Sequence, residues 1–436
     1  MASSEAAIWG YGREGQAALV HLKETRPDLT LVILNDTPIS DAPAGLECLT
    51  GDAAKDALIS GRFALVVKSP GISLYRQEIA QAKAKGTRFT SGTNLWFEAH
   101  PQARTIAVTG TKGKSTVSRL IHHLLVKGGF DAKLLGNVGV AALSEKPARD
   151  WTVFELSSYQ LADFDHAAEI GVLTNLYPEH APWHGGVETY YRDKLNIFRD
   201  AKTLAIANRA HRDVFAHVKD RANLVWFNDE AGFYEKGGKL FFGTHEVDVE
   251  NFALRGAHNI GNLAAACTAA DQAGVKGLRD RVDMAGFEQL AHRLEEFVAR
   301  GITCVDDSIS TVPQATLAAL AAYASRPVVL IAGGSDRGQE YEELADELMR
   351  AKVAALILLP VTGTRLRAAL EKRGASFPMI DTRKLADAVT QAFMHVPKDG
   401  VVLLSPAAPS FEEFKNFEER GEAFKAASLS PSLRGA

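Results

Sequence analysis

The octet Thr109-Gly110-Thr111-Lys112-Gly113-Lys114-Ser115-Thr116 stands between an apolar run and a helix-like stretch. Glycine at such a turn lets backbone N–H groups approach phosphate oxygens, and the helix N-terminus adds its positive dipole end. Lys114 would reach the terminal phosphates, and the Ser115 hydroxyl can ligate Mg²⁺. The common P-loop has a glycine where this chain has Val108, so this is a shorter variant loop. The competing reading is an ordinary glycine-rich strand–helix turn. Lys-Ser-Thr in this setting favours a nucleoside triphosphate site.

Other residues that could do chemistry are scattered along the chain. Glu155 ends an apolar strand in Phe154-Glu155-Leu156-Ser157-Ser158-Tyr159-Gln160-Leu161, and alone it reads as a surface carboxylate. His180 and His184 share a loop, and either could be a solvated histidine or a metal ligand. Lys194 lies in a helical stretch, where a plain solvated lysine is the simpler reading. Asn259, in His258-Asn259-Ile260-Gly261-Asn262, could cap a helix. Asp307 could form a turn. Gly10-Tyr11-Gly12-Arg13-Glu14-Gly15 fits a GxGxxG pattern after a strand, and Asp36 ends the next strand. A dinucleotide-binding site is the natural rival there, but no downstream residues suggest hydride chemistry.

Taken together, these motifs resemble the Mur ligase family, which shares its loop with folylpolyglutamate synthetases. The resemblance runs along nearly the whole chain. It implies an enzyme in which ATP phosphorylates a carboxylate and an amine attacks the acyl phosphate, forming an amide. It implies that Lys114, His180 and Lys194 are catalytic. Gly110–Thr116, Asn259, Arg293 and Asp307 would hold ATP. Ser115, Glu155, His180 and a CO₂-carbamylated Lys194 would hold Mg²⁺. This chain has Glu179 where some members have aspartate before the histidine.

The resemblance also assigns the first block to a UDP-linked muramoyl acceptor. Gly12, Arg13, Glu14, Asp36, Thr37, Ser69, Pro70, Gly71 and Ser158 would bind this UDP-linked substrate, with Asn137 contacting its muramoyl part. Arg13-Glu14 is more charged than the usual uracil neighbours. The segment Leu404-Ser-Pro-Ala-Ala-Pro-Ser410 through Phe414-Lys-Asn-Phe417-Glu-Glu-Arg-Gly421 is similar to that of glutamate-adding members. Thr311, Arg337, Ser410 and Phe417 would then bind glutamate. Ile309 stands where D-glutamate-adding members carry lysine, and Arg337 replaces a second lysine. A guanidinium grips a carboxylate in a bidentate fork that an ammonium lacks. The pattern favours L-glutamate, with D-glutamate as the alternative and a folylpolyglutamate synthetase-like ligase as a more distant one. A non-catalytic nucleotide-binding protein is disfavoured because Lys114, Glu155 and His180 are all intact.

These residues need a scaffold, and the chain is long enough for one. Its 436 residues exceed a single ordinary core. Apolar strands alternate with helical stretches, which points to α/β folding with mostly parallel sheets. Three domains are expected: a Rossmann-like domain at 1–97, a central P-loop ATPase-like domain at 98–291 and a Rossmann-like C-terminal domain at 292–436. Expected strands include Ala64–Val67, Arg104–Thr109, Trp151–Leu156, Thr303–Asp306, Val328–Ala332 and Val401–Ser405. Leu224–Phe242 reads as a small antiparallel patch, and Glu340–Lys352 reads as a helix. The net charge of −4 gives no electrostatic reason to expect nucleic acid as a partner. No apolar run approaches the roughly 18 residues needed to span a membrane. The three scattered cysteines (Cys48, Cys267, Cys304) suggest neither disulfides nor zinc. A cytoplasmic monomer acting on small molecules is expected.

Overall fold

The computed structural model describes residues 5–39, 43–137, 140–178, 181–254, 256–287, 291–336, 339–410 and 413–430. The chain forms two compact units, Met1–Phe287 and Glu288–Ala436.

The first unit holds two large parallel sheets. In the first, strands run in the order Glu47–Thr50, Thr30–Asn35, Glu5–Trp9, Leu65–Lys68, Arg88–Thr90, all parallel. This is the doubly wound order expected of a Rossmann-like block. Alternate side chains divide between two cores: Ala6, Ile8, Ile33 and Val67 on one face, Ala7, Trp9, Val32 and Val66 on the other. Period-two alternation with both faces apolar makes these strands read as continuous hydrophobic runs.

The second sheet follows the same logic. Its order is Leu224–Phe227, Leu204–Asn208, Ile170–Leu173, Thr105–Thr109, Trp151–Glu155, Ala132–Gly136, again all parallel. Ile106, Val108 and Val153 face the helices Lys114–Lys127 and Ala257–Ala273. Ala107, Phe154 and Leu173 face a core containing Trp96, Phe97 and Tyr190. The helix Ala257–Ala273 is alanine-rich because it is buried on most sides, with Leu263 through Ala270 all inaccessible or nearly so.

The stretch Leu224–Phe242, expected to be one antiparallel patch, is divided between two sheets. Leu224–Phe227 is a parallel edge strand of the central sheet, and the antiparallel patch begins only at Phe233, with Phe233–Lys236, Lys239–Phe242 and His245–Glu246. A short aromatic run suits either pairing, and only the available edge beside Leu204–Asn208 selects one.

The second unit is built on a sheet ordered Glu295–Ala299, Ile302–Asp306, Val401–Leu404, Val328–Ala332, Val353–Leu358, Met379–Asp381. The first pair is antiparallel and the rest are parallel. The helix expected over Glu340–Lys352 is shorter, Glu342–Leu348. All three cysteines are unpaired. Among the described residues, no helix is long and apolar enough to cross a membrane.

Trp96 ties the helix Gly92–Ala99 to the central sheet. It is fully buried, its Nε1 donates to the Glu145 carbonyl at 2.9 Å, and its ring meets Phe154 edge-on at 4.7 Å. Trp96→Ala should destabilise this unit by about 3–5 kcal/mol, read as a lower urea midpoint with unchanged slope.

Candidate active site

Three neighbouring parallel strands of the central sheet end at one edge, and the candidate groups hang from their ends. Ligands of open α/β sheets bind at this carboxyl edge. The strand Thr105–Thr109 runs into the glycine loop and then the helix Lys114–Lys127. Gly110 has φ +150°, and a Cβ there would lie 1.8 Å from Thr174 Oγ1. Gly113 has φ +81°, and a Cβ there would lie 2.7 Å from Asn262 Oδ1. Space excludes a side chain at Gly110, and the positive φ disfavours one at both positions. The helix N-cap is Gly113, which provides no capping side chain.

Side chains from the adjoining loop hold the turn in shape. Asn175 Oδ1 accepts from Lys112 N at 2.7 Å, and Thr174 Oγ1 donates to the Lys112 carbonyl at 2.7 Å. Thr111 is buried, with its hydroxyl 2.8 Å from the Tyr190 hydroxyl. Lys114 Nζ folds back onto the carbonyls of Gly110 at 3.0 Å and Thr111 at 2.9 Å. Ser115 and Thr116 lie half-buried in the first helical turn. Asn262 Nδ2 donates to Asn259 Oδ1 at 3.1 Å, so the His258–Asn262 element sits directly against Gly113.

Glu155 is 1% exposed. Its Oε1 accepts from Asn137 Nδ2 at 2.8 Å, while its Oε2 is buried with no hydrogen-bond partner among the described residues. A buried carboxylate oxygen without a partner is costly, and a cation is the ligand that would satisfy it. Lys194 is 2% exposed, and its Nζ donates to the Gly110 carbonyl at 2.7 Å, beside the same loop. The donor set of Ser115 hydroxyl, Glu155 carboxylate and nearby lysine fits a magnesium nucleotide. Asn137, expected to touch the muramoyl substrate, is placed by the fold as the partner that orients Glu155.

The Glu155–Leu161 motif divides its labour. Ser157 caps the short helix Ser158–Leu161 in a reciprocal capping box with Gln160. Ser158 is buried and turns its hydroxyl to His184 Nε2 at 3.0 Å. His184 Nδ1 meets Asp193 Oδ2 at 2.6 Å, so both ring nitrogens are engaged by protein side chains. This removes His184 as a competing metal ligand. His180 lies outside the described residues. The role of Asp193 was not legible in the sequence, because its partner is nine residues away through a turn of unpredictable course.

At the first sheet, three turns cluster at the carboxyl edge. Gly10, with φ +93°, accepts through its carbonyl from Ser69 Oγ at 2.8 Å. Asn35 Oδ1 lies 3.4 Å from Tyr11 N, and Asn35 Nδ2 donates to the Thr37 carbonyl at 2.7 Å. A Cβ on Gly15 would lie 2.0 Å from the Gly10 carbonyl oxygen, whereas around Gly12 there is open space. Gly12, Arg13, Glu14, Asp36, Thr37, Ser69, Pro70 and Gly71 therefore share one rim. Partial burial pushes the Glu14 carboxyl upward. Asp36 pairs with Arg76 at 2.6 Å and accepts from Trp9 Nε1 at 3.2 Å.

In the second unit, Arg293 sits between two non-glycine residues in left-handed conformation, His292 at φ +62° and Leu294 at φ +47°. Such strain persists only where neighbours over-determine it. Glu295 Oε2 accepts from His292 N at 2.9 Å, and Asp307 Oδ1 accepts from Leu294 N at 3.2 Å. Asp307 also accepts from Ser405 Oγ at 2.7 Å and from Ser310 Oγ. Its carboxylate thus holds the turn that presents Arg293.

A buried arginine fastens together the turn that carries Thr311 and the segment that carries Ser410 and Phe417. Arg420 donates to Ser308 Oγ at 2.9 Å, to the Ser308 carbonyl at 2.7 Å and to the Ala408 carbonyl at 3.0 Å. It joins the Asp306–Thr311 turn to the loop carrying Ser410, and Ser308 Oγ donates to the Phe417 carbonyl at 2.8 Å. Ser335 N donates to the Pro409 carbonyl at 2.9 Å, which brings the Gly333–Asp336 loop to the same place. A Cβ on Gly421 would lie 2.0 Å from His292 Nδ1, so the glycine after Arg420 is required by packing. Thr311 and Ile309 are half-buried in the turn, and Arg337 lies outside the described residues.

Burial pushes the Asp307 carboxyl up to about 6. A carboxyl raised in the folded state contributes stability that is complete below its unfolded pKa of about 4 and is lost as pH rises through about 6. Relative to Asp307→Asn, the native protein should therefore gain stability between pH 6 and pH 4, by a few kcal/mol. Paired urea titrations across this range would show it; a constant difference would exclude it.

Comparison with known proteins agrees with this geometry. Residues 108–270 match the Mur ligase middle domain, and residues 292–408 match the Mur ligase glutamate ligase domain. A UDP-N-acetylmuramoyl-L-alanine--L-glutamate ligase of Xanthomonas euvesicatoria pv. vesicatoria is 36% identical over 437 residues, covering 96% of this chain and 93% of that protein. The enzyme of the same name from Salinispora tropica is 38% identical over 440 residues, covering 96% of each. Among solved structures, UDP-N-acetylmuramate-alanine ligase of Thermotoga maritima shares the fold at a TM-score of 0.61 and 15% identity, covering 97% of this chain and 98% of that one. The MurF ligase of Thermotoga maritima in complex with ADP shares it at 0.58 and 15%, covering 97% and 93%. The chain belongs to the Mur ligase family and is an ATP-dependent amide-bond-forming ligase of peptidoglycan precursor synthesis.

Proposed function

We propose that this enzyme joins L-glutamate to the alanyl carboxylate of UDP-N-acetylmuramoyl-L-alanine. The observation that carries the reading is the agreement of relatives along 96% of the chain, each named for L-glutamate. Ile309 in the Asp306–Thr311 turn supports it, since an apolar side chain there removes a cation from a dicarboxylate pocket. Ser410, Phe417, Thr311 and Arg337 are the proposed glutamate contacts. The proposed domains are 1–97 for the UDP-linked acceptor, 98–291 for ATP and 292–436 for glutamate. The enzyme is proposed to act as a cytoplasmic monomer.

The chemistry follows from charge. Triphosphate and carboxylate repel one another, so cationic groups must bring them together. Ser115 and Glu155 would hold one Mg²⁺, and His180 with carbamylated Lys194 a second, supplying that neutralisation. Lys114 leaves the loop carbonyls to hold the terminal phosphates beside the loop amides. Asn137 keeps Glu155 aimed. The γ-phosphoryl group passes to the alanyl carboxylate and ADP leaves. The deprotonated glutamate amine then attacks the acyl carbon, the amide C–N bond forms and phosphate departs. Arg293 and Asp307, on the rigid turn of the second unit, are proposed to contact ATP.

Carbamylation makes Lys194 an anion, which suits a cation site better than the ammonium does. Lys194→Ala should lower turnover by about 10–100-fold, with partial recovery on adding a short carboxylate. Full activity without rescue would exclude the modification from catalysis. The amino acid is decided by phosphate release with ATP, UDP-N-acetylmuramoyl-L-alanine and each glutamate enantiomer. Turnover with L-glutamate should exceed that with D-glutamate by at least about 10²-fold; turnover with D-glutamate alone would establish the D-adding alternative. A folylpolyglutamate synthetase-like activity would instead show itself as no calorimetric binding of the UDP-linked acceptor.

A further inference from the structure

Within the first unit, a chain of polar side chains, buried from Ser158 to Asp193 and ending at the more exposed Tyr75 and Arg192, runs between the two sheets. Ser158 Oγ lies 3.0 Å from His184 Nε2, and His184 Nδ1 lies 2.6 Å from Asp193 Oδ2. The Tyr75 hydroxyl donates to both Asp193 oxygens, at 2.7 and 2.8 Å, and accepts from Arg192 at 2.9 Å. Ser158, His184 and Asp193 are each 3% exposed or less. Burial depresses the histidine, and a neutral imidazole carries one N–H. A carboxylate at Nδ1 places that proton there, and the Ser158 hydroxyl then donates to Nε2. Every proton in the chain points toward Asp193.

Ser158 lies three residues beyond Glu155, and Asp193 immediately precedes Lys194. The chain therefore ties the segment carrying the unpartnered Glu155 oxygen to the helix Val187–Leu195 carrying Lys194. The far end is also anchored. Ser73 Oγ donates to the Trp183 carbonyl at 2.7 Å, and Trp183 Nε1 donates to the Gly71 carbonyl at 3.0 Å. The Trp183 ring lies 4.5 Å from Tyr159. The turn after Ser69 thus grips the short helix Ala181–His184.

We propose that Ser158, His184 and Asp193, latched by Tyr75, are positioning residues that set the spacing between Glu155 and Lys194 and so tune the affinity of the site for a divalent cation. This rests on the reading of Glu155 and Lys194 as cation-holding groups. Asp193→Asn keeps shape but replaces one accepting oxygen with a donating N–H₂, so His184 and the Tyr75 hydroxyl can no longer both donate to the side chain as they do to the carboxylate. The buried polar groups are then mispaired, which is worth about a tenfold change in an equilibrium constant or more.

The test is Mn²⁺ binding, followed by electron paramagnetic resonance, to the full-length protein with a non-hydrolysable ATP analogue. Asp193→Asn, Ser158→Ala and Tyr75→Phe should each weaken Mn²⁺ several-fold, with Asp193→Asn weakening it by about tenfold. The Asp193→Asn/Ser158→Ala double variant should be no weaker than Asp193→Asn alone, since both act through one chain. In steady state, the Mg²⁺ concentration for half-maximal rate should rise while the KM for glutamate stays level. Unchanged Mn²⁺ affinity in the variants, or additive losses in the double variant, would overturn the proposal. Tyr75→Phe, at a partly exposed side chain, keeps the test decisive if a buried variant fails to fold. Failure of the native protein itself to bind Mn²⁺ would instead defeat the cation reading of Glu155 and Lys194.

Discussion

The active region depends on one constraint: the strand Thr105–Thr109 is paired on both edges and buried on both faces. It lies between Trp151–Glu155 and Ile170–Leu173, so the turn at its end opens between two other strand ends. Gly110 must pass Thr174 closely, and Gly113 must pass Asn262. A side chain would clash at Gly110 and would be strained at Gly113 by its positive φ. The loop shape is thus enforced by packing around a buried strand, and the phosphate-binding amides inherit that rigidity.

Charge is managed around this loop in two ways. Lys114 and Lys194 both donate to the Gly110 carbonyl, so cationic groups gather on one backbone oxygen. Glu155 has one oxygen tied by Asn137 and the other buried without a hydrogen-bond partner among the described residues. An arrangement so costly in the absence of ligand makes sense as pre-organisation, because the polar groups need not reorganise when charge arrives. The second unit uses the same strategy with backbone strain. Two left-handed residues flank Arg293, and the buried carboxylate of Asp307 holds one of them in place.

Polar burial also explains motifs that look merely repetitive in sequence. In Phe414–Gly421, Arg420 spends its guanidinium on backbone and hydroxyl oxygens of two loops, and burial lowers its pKa to about 10. Gly421 makes room for His292. The segment thus serves the pocket by fastening the loops that form it. In Glu155–Leu161, adjacent serines do unlike work, one capping a helix and the other bonding a histidine.

Much was legible without coordinates. Strands buried on both faces announce themselves as apolar runs, which is why Val328–Ala332 was read with the bounds it has. The glycine loop was legible because phosphate binding needs particular residue types at short, fixed spacing. Distant pairings were not. The parallel placement of Leu224–Phe227, the bond from Asn137 to Glu155 and the chain from Ser158 to Tyr75 all join residues far apart in sequence. Residue type and local spacing determine what a segment can become and which chemistry it can carry. Which polar group meets which is decided only when sheets and turns close around them, because hydrogen-bond partners are selected by three-dimensional proximity and the penalty for leaving one buried and unpaired.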